Sequence, residues 1–354
     1  MSRFLVALSG AFFLGAEARS AEAPEPVTAP DPPPTSQVFF AHDPAATNQF
    51  IEAPGVTRRM VDRPIMAVTN QASVAGAWRS LVSSSDRVGI KVATAGGSLG
   101  SSHVGVVEAL VAGLEQAGIP RRQVIVWDRE STGLGIAGFA SRRGGYQVRA
   151  IDPPDGYDRE ATITAPVLGR LIWGDLLFME KTRRPFGRAS EPDQLSSTSH
   201  LASVLSKEVT KVINVPVLSD DLGCGVAGAF YNMTVRNIDN WRRFTQPGIS
   251  AAGAIPSIYA DQRVGGKVVL HVMDSLLAQY AGGPGFDPNY AFAHNTLYAS
   301  RDPVALDATA LRKLDHWRKE ARLPPIGRTG EWQRNAEEMG LGHFAGERIT
   351  VVPV

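Results

Sequence analysis

The sequence predicts an α/β fold: a mostly parallel sheet with flanking helices and one insertion or cap segment. Three observations carry this. From Arg87 onward, short β-branched runs alternate with amphipathic runs of helix length, the pattern of parallel strands joined by helical crossovers. At the first junction, RVGIKVATAGGSLGSSHVGVVEALVAGLEQAG (87–118), a glycine-rich turn separates a strand from a helix. The composition, 44% hydrophobic and 20% charged over 354 residues, suits a sizeable core in one large or two ordinary domains.

Taken in order, residues 1–23, MSRFLVALSGAFFLGAEARSAEA, read as a secretory signal peptide, with an apolar stretch from Phe4 to Gly15 followed by Ala-Glu-Ala. That stretch is shorter than the roughly 20 residues that span a bilayer, and an uncleaved anchor is the other reading. PEPVTAPDPPPTS, 24–36, is too rich in proline to pack and reads as an extended linker. The α/β domain occupies 37–354. Its early part is mixed, with a helix over Ser73 to Val82 and a short start-up segment before it. Then come the strand VGIKVA, the helix VGVVEALVAGLEQAG, the strand QVIVWD, a short helix in GLGIAGFASRRG and the strand YQVRAI. Residues 152–198 interrupt the alternation as the insertion. It resumes with a helix over Leu201 to Lys207, one strand in EVTKVINVPVL, a glycine-rich turn, a helical stretch over Asn237 to Phe244, the strand KVVLHVMD, a short strand LYAS, the helix PVALDATALRKLDHWRKEA and a last strand ERITVV.

Composition narrows function. Lys plus Arg number 36 against 35 Asp plus Glu, so no overall field draws the chain to nucleic acid. Cys224 is the sole cysteine. The chain therefore builds no internal disulfide, no thiolate zinc site and no iron–sulfur cluster of its own, and any other cofactor is left unspecified. With the signal peptide, this places the protein in the periplasm or outside the cell, with no stable membrane span once the signal is cleaved. A small-molecule ligand fits these features, and a protein partner is not identified by them.

The glycine turn departs from a dinucleotide fingerprint. In the G-x-G-x-x-G register the chain offers Ala95, Gly97 and Gly100, so the first glycine is missing, and Asp128 follows Gly100 by 28 residues rather than about 20. Two readings remain. The glycines allow a sharp strand-to-helix turn, with Ser101 or Ser102 capping the helix, or the free N–H groups of the helix end hold a carboxylate or phosphate.

Open parallel sheets bind ligands beyond the carboxyl ends of their strands. The polar residues there are Lys91 within VGIKVA, Asp128 ending VIVWD, Asp220 and Asp221 after VPVLS, and Asp274 ending VVLHVMD. An ammonium in a buried strand is costly unless paired, which singles out Lys91; the competing reading is an edge lysine reaching solvent. Helix or turn capping competes for Asp128 and Asp274. Asp302 before Pro303 reads as an N-cap, and Asp307 faces inward. His271 and His294 are weak metal candidates, since no ligand spacing supports them. Neither G-x-S-x-G nor a base for Cys224 marks a nucleophile.

The ordered set RVGIKV, EQAGIPRRQVIVWDR, INVPVLSDDLGCGVAGAFYNM, HVMDSLLAQYAGGPG and ASRDPVALDATAL resembles the family called domain of unknown function 362, from about Asp86 to the C-terminus. The resemblance implies an α/β fold, export in many members and fusion of some to ferredoxin-like iron–sulfur modules. It carries the family's strand lysine onto Lys91, its Asp and Gly-Pro element onto Asp274 and Gly283-Pro284, its D-P-V-A-x-D element onto Asp302 and Asp307, and its asparagine onto Asn232. Two positions depart: Leu218-Ser219-Asp220-Asp221 stands where the family tends to have Leu-Lys-x-His, and Tyr231 where it has a lysine.

The resulting expectation is a pocket with Lys91, Asp128, Asp220, Asp221, Asn232, Asp274 and Asp307 as catalytic candidates. Gly97, Gly100, Ser101, Ser102 and Gly283 would contact a small anionic molecule, and an aspartate of raised pKa would move a proton. The rivals are a non-catalytic periplasmic binding or assembly protein, using 152–198 as its partner surface, and a metal-dependent hydrolase.

Overall fold

The computed structural model describes residues 35–139, 144–152, 156–170, 195–221, 224–244, 253–283, 285–326 and 330–354, with backbone alone at 164–170, 195–197 and 242–243. The segment expected to be a signal peptide, nearly all of the expected linker and the centre of the 152–198 segment lie outside these residues.

Strand β1 (Ser36–His42) opens the fold, and a tight hairpin, β2 (Thr47–Asn48) and β3 (Ile51–Glu52), follows. Helix α1 (Pro54–Thr69) comes next, a 16-residue helix where the sequence suggested only a start-up segment. Its internal Pro64 and β-branched residues hide it from a propensity reading, and its buried face of Met60, Val61, Pro64 and Ile65 makes it helical by tertiary packing. Helix α2 (Val74–Leu81) lies where expected, with Ser73 accepting the Gly76 N–H as its cap.

The expected alternation follows in β4 (Val88–Val92), α3 (Val104–Gln116), β5 (Val124–Asp128), α4 (Ser131–Ile136) and β6 (Gln147–Ala150). All three strands pair in parallel, and β4 and β5 are buried at every position, as continuous apolar runs require. Strands β7 (Tyr157–Arg170) and β8 (Leu195–Ala202) form a separate antiparallel pair. The helix expected over 201–207 is instead the end of β8 followed by a π-helical turn at Val204–Glu208.

The run expected as one strand is two. Pro216, which has no N–H to give a ladder, separates β9 (Lys211–Val215) from β10 (Val217–Asp221). Strand β11 (Gly225–Val226) pairs back on β10, and α5 (Ala229–Met233) follows. The helical stretch expected over 237–244 is two 3-10 turns, Val235–Asn237 and Trp241–Phe244. After α6 (Ala254–Ala260), β12 (Val268–Gln279) and β13 (Ala291–Ser300) run well beyond the short segments expected and pair antiparallel. Helix α7 (Pro303–Glu320) is capped by Asp302 and begins with Pro303, as the sequence indicates. Helix α8 (Glu331–Glu338) and β14 (Ile349–Pro353) complete the chain.

The principal sheet has ten strands among the described residues, in the path β14-β1-β13-β12-β9-β4-β5-β6, with β10 and β11 branching from β12. One apolar core gathers residues of α1, α2 and α3 and the other gathers α5, α6, α7 and α8, so helices cover both faces. The fold is α/β with a mostly parallel sheet, antiparallel at β13.

Two features of this topology position a site. Strands β4, β5 and β6 build outward in one direction, whereas β9 and then β12 add on the other side of β4, so the order reverses between β4 and β9. In addition β9 pairs with both β4 and β12, but β10 pairs only with β12 and β11. Past Pro216 the ladder to β4 is therefore abandoned. The sheet opens at the carboxyl ends of its central strands.

Candidate functional site

Lys91 lies in the middle of the sheet with no exposure, and its ammonium is satisfied entirely by protein. It donates to Asp128 Oδ1 at 2.6 Å, to Asn232 Oδ1 at 3.0 Å and to the carbonyl of Val92 at 2.8 Å. Asp128, at the end of neighbouring β5, also accepts from the Thr94 N–H at 2.8 Å, the Thr94 hydroxyl at 2.6 Å and Arg236 at 3.2 Å. Asn232 comes from α5 and bonds in turn to Asn214 on β9. The competing reading of Lys91 as an edge residue reaching solvent is thus excluded by its position.

Charge is unbalanced here. Lys91 and Arg129 are buried and Arg236 is half-buried, all three close to the buried carboxylate of Asp128. Burial disfavours ionised Asp128, but Arg236 and Lys91 beside it, together with the Thr94 hydrogen bonds, hold its carboxyl well below the usual range. Burial pulls the Lys91 ammonium down to about 8; Asp128 opposes this, and Arg236 and Arg129 add to it. Arg129 is spent structurally: it donates to Tyr157 Oη and to the carbonyls of Val235 and Ile238, and lies over the Trp241 ring at 4.8 Å. Arg236 gives one hydrogen bond, to Asp128, and its side chain retains 12% exposure.

That exposure opens onto a cavity of about 370 Å³ at the split in the sheet. Ala93 and Ala95 beyond β4, Gly96 and Gly100 of the glycine turn, Val217, Leu218, Ser219 and Asp221 of β10, Tyr231 and Asn232 of α5, Arg236, Trp241, and Leu277 to Gln279 of β12 are among its walls. The lining is largely apolar, with Arg236 on one side and Asp221 as its carboxylate.

The glycine turn shapes this wall by close approach. A Cβ on Gly96 would stand 2.1 Å from the Gly100 carbonyl oxygen, and Gly97 has φ +68°, the left-handed region. Ser101 donates to the Gly97 carbonyl at 2.5 Å, while the Ser102 hydroxyl accepts from Ala93 N–H and donates to the Val215 carbonyl. Neither serine caps α3; its N-cap is His103, with no side-chain cap bond. Two N–H groups at the start of α3 are taken by the protein's own carboxylates. Asp274 accepts from His103 N–H at 2.7 Å, and Glu52 from Gly105 N–H at 2.9 Å.

Of the sequence candidates, Lys91, Asp128 and Asn232 meet directly, and Asp221, Asn232 and Gly100 line the cavity. Asp220 accepts the Gly283 N–H at 2.9 Å, a contact that ties the loop after β12 to β10. Asp274 is elsewhere, paired with the His103 ring at 2.9 Å. Burial alone would pull His103 down, but Asp274 and Glu52 outweigh it and raise its pKa. Asp307 accepts the N–H groups of Ala229 and Phe230 and so anchors the start of α5; burial pushes its carboxyl up to about 7. It supports the site through the helix that carries Asn232.

The histidines do not converge. His271 has both ring nitrogens engaged, by Asn214 Nδ2 and Tyr259 Oη, and burial lowers its pKa to about 3. It pairs across the ladder with Ser300, six residues along β13 from His294, which is about 20 Å at strand rise. His294 meets Tyr298 Oη instead. Among the described residues no group of three or more His, Cys, Asp or Glu is arranged to hold a metal ion. Cys224 is buried, with its thiol pushed up by burial and Asp221.

Sequence reasoning missed Arg236, although an arginine inside the otherwise uncharged stretch NMTVRN was a signal comparable with Lys91. It also left Tyr231 out of the site while marking it as a departure from the family pattern.

No curated protein matches the chain. A protein from Thermotoga maritima solved by crystallography is similar at 9% identity with a TM-score of 0.41, over 75% of this chain and 59% of that one. The chain thus spans under two thirds of that structure. No helix among the described residues is long and apolar enough to cross a membrane. Residues 178–312, which hold Asp220, Asp221, Tyr231, Asn232, Arg236, Asp274 and Asp307, match the family model described as Domain of unknown function (DUF362). That match supports a likeness to this family over residues 178–312.

Proposed function

We propose that the protein binds a small anionic molecule in the cavity beyond β4 and β10, with Arg236 as the charged contact. The carrying observation is Arg236: Lys91, Arg129 and Arg236 gather about the Asp128 carboxylate, and of the three only Arg236 lines the cavity, with one hydrogen bond made and 12% of its side chain exposed. An anion against Arg236 would offset charge that the fold has placed at a desolvation cost. The location supports the same reading, because the cavity lies where the strand order reverses, the recurrent ligand crevice of open α/β sheets. Lys91 and Asp128 act behind the wall as positioning residues that fix Asn232 and Arg236.

The signal-like N-terminus supports export, so the ligand would be met in the periplasm or outside the cell. The test is a comparison of small molecules retained by the wild type and by Arg236→Gln. Each is purified from its own host, denatured and analysed by negative-ion mass spectrometry. An acid released from wild type and missing from the variant is expected. No acid from either protein, or the same acid in equal amount from both, refutes the reading.

A further inference from the structure

We propose that the ligand is an apolar monocarboxylic acid whose carboxylate is shared between the guanidinium of Arg236 and the hydroxyl of Tyr231. This rests on the anion-binding reading above and narrows it. Tyr231 lines the cavity and is only 7% exposed, yet among the described residues its hydroxyl has no hydrogen-bond partner. Its oxygen is open to the cavity rather than enclosed by protein, so an occupant can supply the partner that a buried phenol normally finds. The hydroxyl lies in the fields of Asp221 and Arg236, so it belongs to the same end of the cavity as the guanidinium. Burial, reinforced by Asp221, keeps the phenol protonated and thus able to donate. Arg236 has further N–H groups beyond the one it gives Asp128.

These donors suit a carboxylate better than a phosphate. Several N–H groups around the turn are committed: His103 to Asp274, Gly105 to Glu52, Thr94 to Asp128 and Ala93 to Ser102. The Lys91 ammonium is sealed behind Asn232. Asp221 on the wall disfavours a second negative charge on the ligand. The remaining surface, Ala93, Val217, Leu277, Ala278, Phe286 and Trp241, offers an apolar body its enclosure. At about 370 Å³ the space lies at the small end of ligand pockets, which run from roughly 300 to 1,000 Å³.

The test is calorimetric titration of the full chain with 4-phenylbutyrate, the neutral 4-phenylbutanol and inorganic phosphate, using wild type, Tyr231→Phe and Arg236→Gln. Phenylbutyrate is expected to bind wild type, with affinity about tenfold weaker in Tyr231→Phe, the scale of one hydrogen bond to a charged group, and lost in Arg236→Gln. The alcohol and phosphate are expected not to bind. Tyr231→Phe deletes a hydroxyl that no described group uses, so its thermal unfolding should match wild type. A ring-labelled NMR titration of the wild type gives a second measure, in which the Tyr231 resonances must move. Equal affinity of wild type and Tyr231→Phe, or of acid and alcohol, overturns the inference. Phosphate binding that depends on Arg236, without phenylbutyrate binding, overturns the monocarboxylate and leaves the anion reading standing. Binding of neither anion overturns both.

Discussion

Replacing Lys91 with methionine isolates the buried ion pair on which the site is built. The side chain is of similar length and apolar, so the sheet need not repack, but Asp128 loses its 2.6 Å partner and Asn232 Oδ1 loses a donor at 3.0 Å. Removing one member of a buried pair costs roughly 3–5 kcal/mol. Asp128 keeps Arg236 and both Thr94 donors, which puts the cost at the lower end, about 3 kcal/mol. The unit Pro33–Val354 has roughly 320 residues. At about 2.1 cal/mol/K of unfolding entropy per residue, the expected fall in Tm is about 4–5 °C. Differential scanning calorimetry at neutral pH reads this directly. A double-mutant cycle with Asp128→Asn should give a favourable coupling of at least about 1.5 kcal/mol. A Tm within 1 °C of wild type, or additive single effects, would refute the claim that this pair is buried and coupled.

Other outcomes follow from the same coordinates. Gly96→Ala places a Cβ 2.1 Å from a backbone oxygen, so the turn must open and thermal stability should fall by about 1–3 kcal/mol, with the cavity wall displaced. His271 is held neutral with its pKa lowered to about 3, so the folded state binds fewer protons than the unfolded one below about pH 6.5. Its stabilising contribution is complete above that value and is lost as pH falls; urea unfolding should show a flatter decline between pH 6.5 and 4 in His271→Gln. Asp307 has the opposite sign. Its folded pKa is raised from 3.8 to about 7, so its contribution is complete below the unfolded value and is lost as pH rises toward 7. Asp307→Asn keeps one acceptor oxygen for these two N–H groups and so costs stability at low pH, but its stability relative to wild type should rise between pH 5 and 8, and no change in that difference would refute it.

Much of the architecture was legible because the pattern and the physics coincide. VGIKV and VIVWD are buried on both faces, so their apolar runs announce central parallel strands, and Asp302-Pro303 announces a helix start. Helix α1 was not legible, since its packing overrides Pro64 and its β-branched residues. The division of EVTKVINVPVL was signalled by Pro216, but its consequence, a split sheet with a cavity behind it, depends on which neighbour each half keeps.

The site was legible to the extent that strand ends could be listed. Lys91 and Asp128 sit on adjacent strands and meet. Asp274 and Asp307 read the same way in sequence yet turn to His103 and to the start of α5, because a carboxylate near unpaired N–H groups satisfies them. That competition also closes the helix end that looked ready for an anion. Arg236 and Tyr231 come from a short helix and a 3-10 turn without periodic signal, so only the fold brings them to the cavity.

The most direct measurement is a crystal structure of the protein purified from its own host with whatever molecule it retains. The account predicts density in the cavity between the glycine turn and β10, with an anionic group of the occupant on the Arg236 guanidinium. An occupant that turns a neutral face to Arg236, or a cavity filled by ordered water alone, would contradict it.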